Sequence, residues 1–239
     1  MADFSDKAIL VVGGTSGIGQ AVVNDLLAQN AQVIVAARRE PEGDVADRVT
    51  YISLDVTDPG DALSALPDTL HGLVYCPGSI NLKPFTALKP DDFSADFELN
   101  VLGAVRVIKA ALKPLRAAKG ASVVLYSTVA VQLGLNYHTS VATAKGALEG
   151  LGRSLAAELA SKQVRVNLIA PSLTDTPLAK GLLGTDEKKE ASKQRHPIGR
   201  YGEAEDISRA TVFLLSDDSS WITGQVLHVD GGLSTLKPL

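Results

Sequence analysis

Three groups able to hold or move a proton lie close together in NYHTSVATAK (136–145): Tyr137, His138 and Lys145. Imidazole is the usual biological proton carrier near neutral pH. A lysine ammonium lowers the pKa of an acid beside it, so Lys145 could activate a neighbouring donor. His138 stands seven residues before Lys145, and on a continued helix the two share a stripe. If the segment before the helix is a loop, either His138 or Tyr137 could reach a bound ligand. Val141, four residues before Lys145, sits one helical turn away and can neither give nor take a proton.

A second constellation says what the ligand would be. Gly13, Gly17 and Gly19 in VVGGTSGIGQAVVNDLLAQ follow an apolar run and open a helical one, with Thr15, Ser16 and Ile18 completing the turn. A sharp strand-to-helix turn calls for glycine, and the helix N-terminus behind it accepts a pyrophosphate. A bare turn is the alternative, but the place between strand and helix favours a phosphate cradle. Arg38, in AARRE at the end of the next apolar run, could pair with a 2′-phosphate through two parallel hydrogen bonds.

These groups need a scaffold that brings chain ends together, and the patterning supplies one. Strands are expected at 7–12, 31–37, 49–54, 71–76, 122–127, 164–170 and 225–230, mostly continuous Val- and Ile-rich runs. Such runs fit strands of a parallel sheet covered on both faces. Helical stretches near 17–29, 91–118, 141–160 and 204–216 alternate with them. The alternation predicts a single α/β domain over 1–239: a Rossmann-type doubly wound parallel sheet of about seven strands, with helices on both faces. Residues 174–202 form a polar, Gly- and Pro-punctuated insertion where loops leave the carboxyl ends of strands, a place for a substrate lid.

Composition narrows the rest. The chain has 239 residues, is 45% hydrophobic and carries a formal net charge of −4, which suggests no nucleic-acid or membrane-surface partner. Cys76 is the only cysteine, and His71, His138, His196 and His228 show no ligand spacing, so no metal is expected. No apolar run reaches bilayer length, and the first residues pass at once into a strand, leaving no room for a signal peptide. A cytoplasmic protein acting on a small molecule is the expectation.

The spacing Gly13-x-x-x-Gly17-x-Gly19, followed by NVLG (100–103) and by the helix AKGALEGLGRSLAAELA (144–160), resembles the short-chain dehydrogenase/reductase family over nearly the whole chain. The resemblance implies a nicotinamide cofactor. Ala37 stands where NAD-using members carry an aspartate, so with Arg38 beside it the cofactor implied is NADP(H). Asp55, with Val56, matches the acidic contact to the adenine amino group, although Asp55 could equally cap a helix. Gly78 is kept in YCPG (75–78), where the family usually has Asn-Asn-Ala-Gly, and Tyr75 and Cys76 must pack in place of the asparagines. Pro171, Ser172, Thr174 and Thr176 match the segment over the nicotinamide, with Ser172 replacing a glycine.

For the chemistry, the resemblance assigns Asn100 to an interrupted helix, its carbonyl holding a water of a proton relay. It assigns the active-site hydroxyl to Thr128, with Ser127 adjacent, and places Lys145 on the nicotinamide ribose. The catalytic tyrosine would stand at position 141, where this chain has Val141. Enoyl reductases of the family carry their tyrosine seven residues before the lysine, where this chain has His138. Two readings therefore stay open. One is an NADP(H)-dependent oxidoreductase acting on a small carbonyl, alcohol or conjugated enone, with His138 or Tyr137 as donor. The other is an inactive NADP(H)-binding sensor or scaffold. GQVLHVDGG (224–232) matches the family's closing strand and turn, and that end, with the long helices near 91–118 and 141–160, implies a homodimer or homotetramer.

Overall fold

The computed structural model describes residues 3–237. Its main sheet contains β1 (Ala8–Val12), β2 (Gln32–Ala37), β3 (Val49–Ser53), β4 (Gly72–Tyr75), β5 (Ser122–Tyr126), β6 (Arg165–Pro171) and β9 (Val226–Val229). Every pairing in it is parallel, and the spatial order is β3-β2-β1-β4-β5-β6-β9. All seven expected strands are present, each within two residues of its expected ends. A second sheet pairs only β7 (Thr174–Asp175) with β8 (Gly202–Glu203).

The continuous apolar runs follow from burial on both faces. Residues of β1 alternate: Leu10 and Val12 point into one core with Tyr75, Leu125, Val107, Leu115 and Leu148, while Ile9 and Val11 join the other with Val74, Val22, Leu26 and Ile207. The first core packs under α3 (Gly103–Ala117) and α5 (Thr139–Leu159). The second packs under α1 (Gly17–Ala28) and α7 (Ala204–Leu215). A strand with no solvent face has no polar positions to spare, so period-two patterning is lost from the sequence.

The expected helix over 91–118 is two helices. α2 (Pro90–Phe97) and α3 are joined by a π-helical turn, Glu98–Leu102, that contains Asn100. The wider turn releases carbonyl groups from the α pattern. Tyr75 Oη donates to one of them, Leu99 O, at 2.6 Å. Gly103 makes room, because a Cβ there would collide with that hydroxyl. Tyr75 thus ties β4 to the helix. Two helices were not expected: the short α4 (Ala130–Leu133), and α6 (Asp186–Arg195) inside the 174–202 insertion. α6 lacks an apolar stripe, but Thr185 caps it, Asp186 and Glu187 occupy its first turn, and Lys193 and Arg195 its last.

Candidate cofactor and active site

The strand order reverses between β2-β1 and β4, and a cavity of about 730 Å³ opens there, at the carboxyl ends of the strands. Gly13, Thr15, Ser16, Gly17, Ile18 and Gly19 line one end of it. Ser16 precedes α1 without bonding the helix through its side chain, so the first N–H groups of α1 stay free for an anion. The glycines serve the turn in different ways. Gly13 and Gly17 have φ of +76° and +51°, left-handed values that a side chain disfavours. At Gly19 a Cβ would run into the carbonyl oxygen of Gly13, so this glycine lets the helix start close under the turn.

Next along the cavity come Arg38 and Arg39 at the end of β2, then Asp55, Val56 and Thr57 after β3. Asp55 Oδ1 accepts from the Thr57 hydroxyl at 2.6 Å and from its backbone N–H at 2.9 Å. Those hydrogen bonds, the hydroxyl's first, hold the Asp55 carboxyl below its ordinary pKa. Asp55 thus stiffens its own turn, and the 3-10 helix at 62–65 begins after Asp61 instead.

At the other end, Gly78, Thr128, Val141, Lys145, Pro171, Ser172, Thr174 and Thr176 line the same space. Thr128 Oγ1 accepts from the Ala130 N–H at 3.3 Å. Ser127 spends its hydroxyl on Glu149 at 2.6 Å, on α5. Thr174 and Thr176 hydroxyls bond the carbonyls of Ser172 and Thr174, and Thr176 also caps the turn at 177–179.

Asn100 lies fully buried just behind this wall. Its Nδ2 donates to Asp96 O at 2.7 Å and to Ser79 Oγ at 3.2 Å. Its Oδ1 has no partner and is the sole buried side-chain polar atom so placed among the described residues. Lys145 is 7% exposed and donates from Nζ to Tyr126 O at 2.8 Å. A Cβ built on Gly78 would lie 3.4 Å from both Asn100 Oδ1 and Lys145 Nζ, so an acceptor and an ammonium converge beside that glycine.

Burial brings the Lys145 amine down to about 8, against smaller opposing effects of Cys76 and Asp96. Since the unfolded chain holds that proton up to about 10.5, the buried charge costs stability below about pH 8, and the cost fades as pH rises from 8 to 10.5. Lys145→Met is accordingly expected to raise stability at pH 7 by about 1–2 kcal/mol, about half of the relieved charge penalty being offset by the orphaned Tyr126 carbonyl. The midpoint of urea unfolding checks this; an unchanged or lower midpoint would mean that the charge is well solvated.

The structure separates the two candidate donors. His138 lines the cavity, as do Val141 and Lys145. It is not a helical residue: it precedes α5 with φ −99° and ψ 7°, and its Nδ1 meets Asn136 O at 2.7 Å. That carbonyl only accepts, so Nδ1 bears the hydrogen. Tyr137 is not brought to the cavity. Its backbone is left-handed (φ +67°), which swings the ring outward, and it is 57% exposed. The other two tyrosines near the site are committed. Tyr75 is bonded to Leu99 O, and Tyr126 Oη lies 2.7 Å from Thr211 Oγ1, whose own hydrogen goes to Ile207 O.

Sequence reasoning missed His196. It follows α6, is 4% exposed, and lines the cavity. Its Nδ1 gives a hydrogen to Ser192 O at 2.6 Å, and its Nε2 meets Ser172 Oγ at 2.8 Å. Only the folding of the insertion as a helix carries His196 back to Ser172, and no spacing rule shows that. Cys76 also faces the cavity, with burial pushing its thiol up to about 12, so it is no nucleophile near neutral pH.

A family model described as enoyl-(acyl carrier protein) reductase matches residues 12–234. The chain belongs to the short-chain dehydrogenase/reductase family. A tropinone reductase homologue of Arabidopsis thaliana is 36% identical, over 94% of this chain and 92% of that protein. The 3-oxoacyl-[acyl-carrier-protein] reductase FabG of Salmonella typhimurium is 31% identical, over 96% and 98%. Among solved structures, a candidate 2-deoxy-D-gluconate 3-dehydrogenase from Agrobacterium tumefaciens with bound NADP superposes with a TM-score of 0.89, at 30% identity and 97% coverage of each chain. As a short-chain dehydrogenase/reductase the protein is an oxidoreductase of nicotinamide type, and no helix among the described residues is long and apolar enough to cross a membrane.

Proposed function

We propose that this short-chain dehydrogenase/reductase transfers hydride between NADP(H) and a small apolar carbonyl, alcohol or conjugated enone, with His138 as the proton donor. One observation carries the reading: the phosphate cradle, Arg38, Lys145 and His138 open onto a single cavity. Bound there, the cofactor would supply the hydride. The α1 N-terminus would take its pyrophosphate, Arg38 its 2′-phosphate, and Lys145 its nicotinamide ribose. Thr128 would bond the substrate oxygen, and His138 would deliver a proton from Nε2, its Nδ1–H staying on the Asn136 carbonyl. Ile80, Leu82, Leu135, Val141, Leu178 and Leu182 make the remaining wall apolar, which favours a substrate with little charge. The 174–202 insertion serves as the lid over it, tethered at its base by the β7–β8 pair.

The reading includes a cytoplasmic dimer or tetramer. Trp221, Phe213 and Leu227, exposed around β9, support self-association. Val141 favours one second reading, a protein that binds NADP(H) without turning it over, because among the described residues no phenol hydroxyl is free at the cavity.

Calorimetric titration with NADPH and NADH tests the cofactor. NADPH is expected to bind at least about tenfold more tightly, and Arg38→Ala to erase the difference by weakening NADPH alone, a loss of about 1.5–3 kcal/mol for a charge-assisted pair. Failure to bind either dinucleotide would sink both readings.

A further inference from the structure

The chemistry above leaves Tyr137 and the exposed apolar side chains around it without a task. A single exposed leucine is ordinary, whereas several together beside a cavity mark a surface that a ligand covers. Three side chains of the cavity wall also face solvent: Ile80 is 39% exposed, Leu135 36% and Leu178 57%. They come from three separate segments, the loop after β4, the loop before α5 and the insertion. A wall residue partly in water stands at the mouth. The apolar lining therefore does not stop inside the cavity but runs out to the surface.

Two of these segments are tied together beyond the wall. The Lys83 N–H donates to Tyr137 O at 3.2 Å, which sets the loop at 79–88 alongside the loop at 134–138. Tyr137, with its left-handed backbone, and Phe85, two residues past Lys83, both expose their rings and lie outside the cavity lining. Along one loop Ile80 leads to Phe85, and along the other Leu135 leads to Tyr137, so both carry apolar residues outward.

Charge at this mouth is sparse. Lys83 is the sole charged residue of 79–88, and Asp92 holds it at 2.7 Å. Among the described residues Asp55 is the one carboxylate of the lining, and it stands at the far end by Arg38. Arg195 lines the cavity from α6, with Ser192 Oγ as its partner at 3.0 Å. With a dinucleotide spanning the space from Arg38 to Lys145, the substrate keeps only the end that these apolar side chains bound. Whatever extends beyond its reacting group must leave between them.

We propose that this mouth is a groove for an apolar tail, and that the substrate is a ketone, alcohol or enone carrying an alkyl chain or similar hydrocarbon. The tail lies between Ile80, Leu135 and Leu178 and reaches Tyr137. The proposal rests on the oxidoreductase reading for which end of that molecule reacts.

The 2-alkanones from pentan-2-one to nonan-2-one are titrated into protein saturated with NADP+, where a ketone meets an oxidised cofactor and is not turned over. The Ile80 methyl signal of protein labelled with 13C-methyl isoleucine, assigned through Ile80→Val, reports occupancy. Full burial of a methylene tightens binding about fourfold, and a groove open on one side gives about half of that free energy. The dissociation constant is therefore expected to fall about twofold per methylene, about 15-fold over the series. Leu135→Asn and Leu178→Asn together should flatten the fall to under about 1.3-fold per methylene. Ile80→Asn, read by calorimetry, serves where that double variant does not fold. Tyr137→Ser should weaken nonan-2-one more than pentan-2-one, since the ring stands beyond the cavity. Leu227→Ser, at a similarly exposed leucine on β9, should leave the dependence on chain length in place.

A wild-type fall under about 1.3-fold per methylene, or the full fall kept in the double variant, overturns the proposal. So does tighter binding of 8-oxononanoate than of nonan-2-one, which would give the tail to Arg195 as a carboxylate. If NADP+ does not bind, the cofactor reading falls, while the same titration of cofactor-free protein still decides the groove.

Discussion

Gly19→Ala is expected to weaken NADPH binding at least about 100-fold and to cost about 3 kcal/mol of stability. The added methyl would meet the carbonyl oxygen of Gly13, a backbone atom held by the turn, with the Cys76 sulfur 3.2 Å away on another side. Gly13 in turn is tied by its N–H to Ala36 O at 2.8 Å, so it cannot step aside without loosening β2 from β1. The N-terminus of α1 must therefore retreat, and with it the free N–H groups that would meet the pyrophosphate. Gly43→Ala is the control. That glycine also has a positive φ (+66°), but nothing lies within 4 Å of its Cβ position. Backbone strain without collision should cost about 1 kcal/mol and leave NADPH affinity alone. Calorimetry and urea unfolding read both variants; equal losses of affinity at the two positions would remove Gly19 from the cradle.

The glycine turn between β1 and α1 was legible because its cause is local. A strand, a tight turn and a helix N-terminus are adjacent in the chain, and each demands a residue type that can be read directly. The sheet was legible for a similar reason: β1, β4 and β5 are buried from both sides, so runs without charged residues, rich in Val and Leu, mark them. Where cause is not local, the sequence goes quiet. The break of the 91–118 helix at Asn100 was implied by the family resemblance alone, since Tyr75, which bonds the π turn through its hydroxyl, is far away in the chain. α6 is set by its caps and terminal charges, since it lies on the surface with few buried residues and has no apolar stripe to announce it. His196 reaches Ser172, and Asp96 reaches Ser140, only through packing of separate elements. Tyr137 and His138 are neighbours in sequence, and one left-handed residue sends their rings different ways. No propensity distinguishes which of the two turns inward, because the choice belongs to the loop at 134–138 as a whole.

That loop geometry makes the proton donor testable by exchange of roles. His138→Ala is expected to lower kcat for reduction of small ketones by about 100-fold, with KM and NADPH affinity within about twofold of wild type. A residue that only packed at the mouth of the cavity would change KM first. Val141→Tyr places a phenol on α5 one turn before Lys145, where the ammonium can lower its pKa, and the position already lines the cavity. In the His138→Ala background this tyrosine should restore ketone reduction by at least about tenfold. In the wild-type background it should add little, since one donor suffices for one proton. The opposite pattern decides against the proposal. Were Val141→Tyr to create ketone reduction in a protein that otherwise shows none, His138 would be a bystander and the native chain a binder of the cofactor. The enone cyclohex-2-enone separates the remaining chemistries. Hydride then goes to carbon, the carbonyl needs only a hydrogen bond, which Thr128 can supply, and the enolate formed can take its proton from water, so His138→Ala should cost less there than with cyclohexanone.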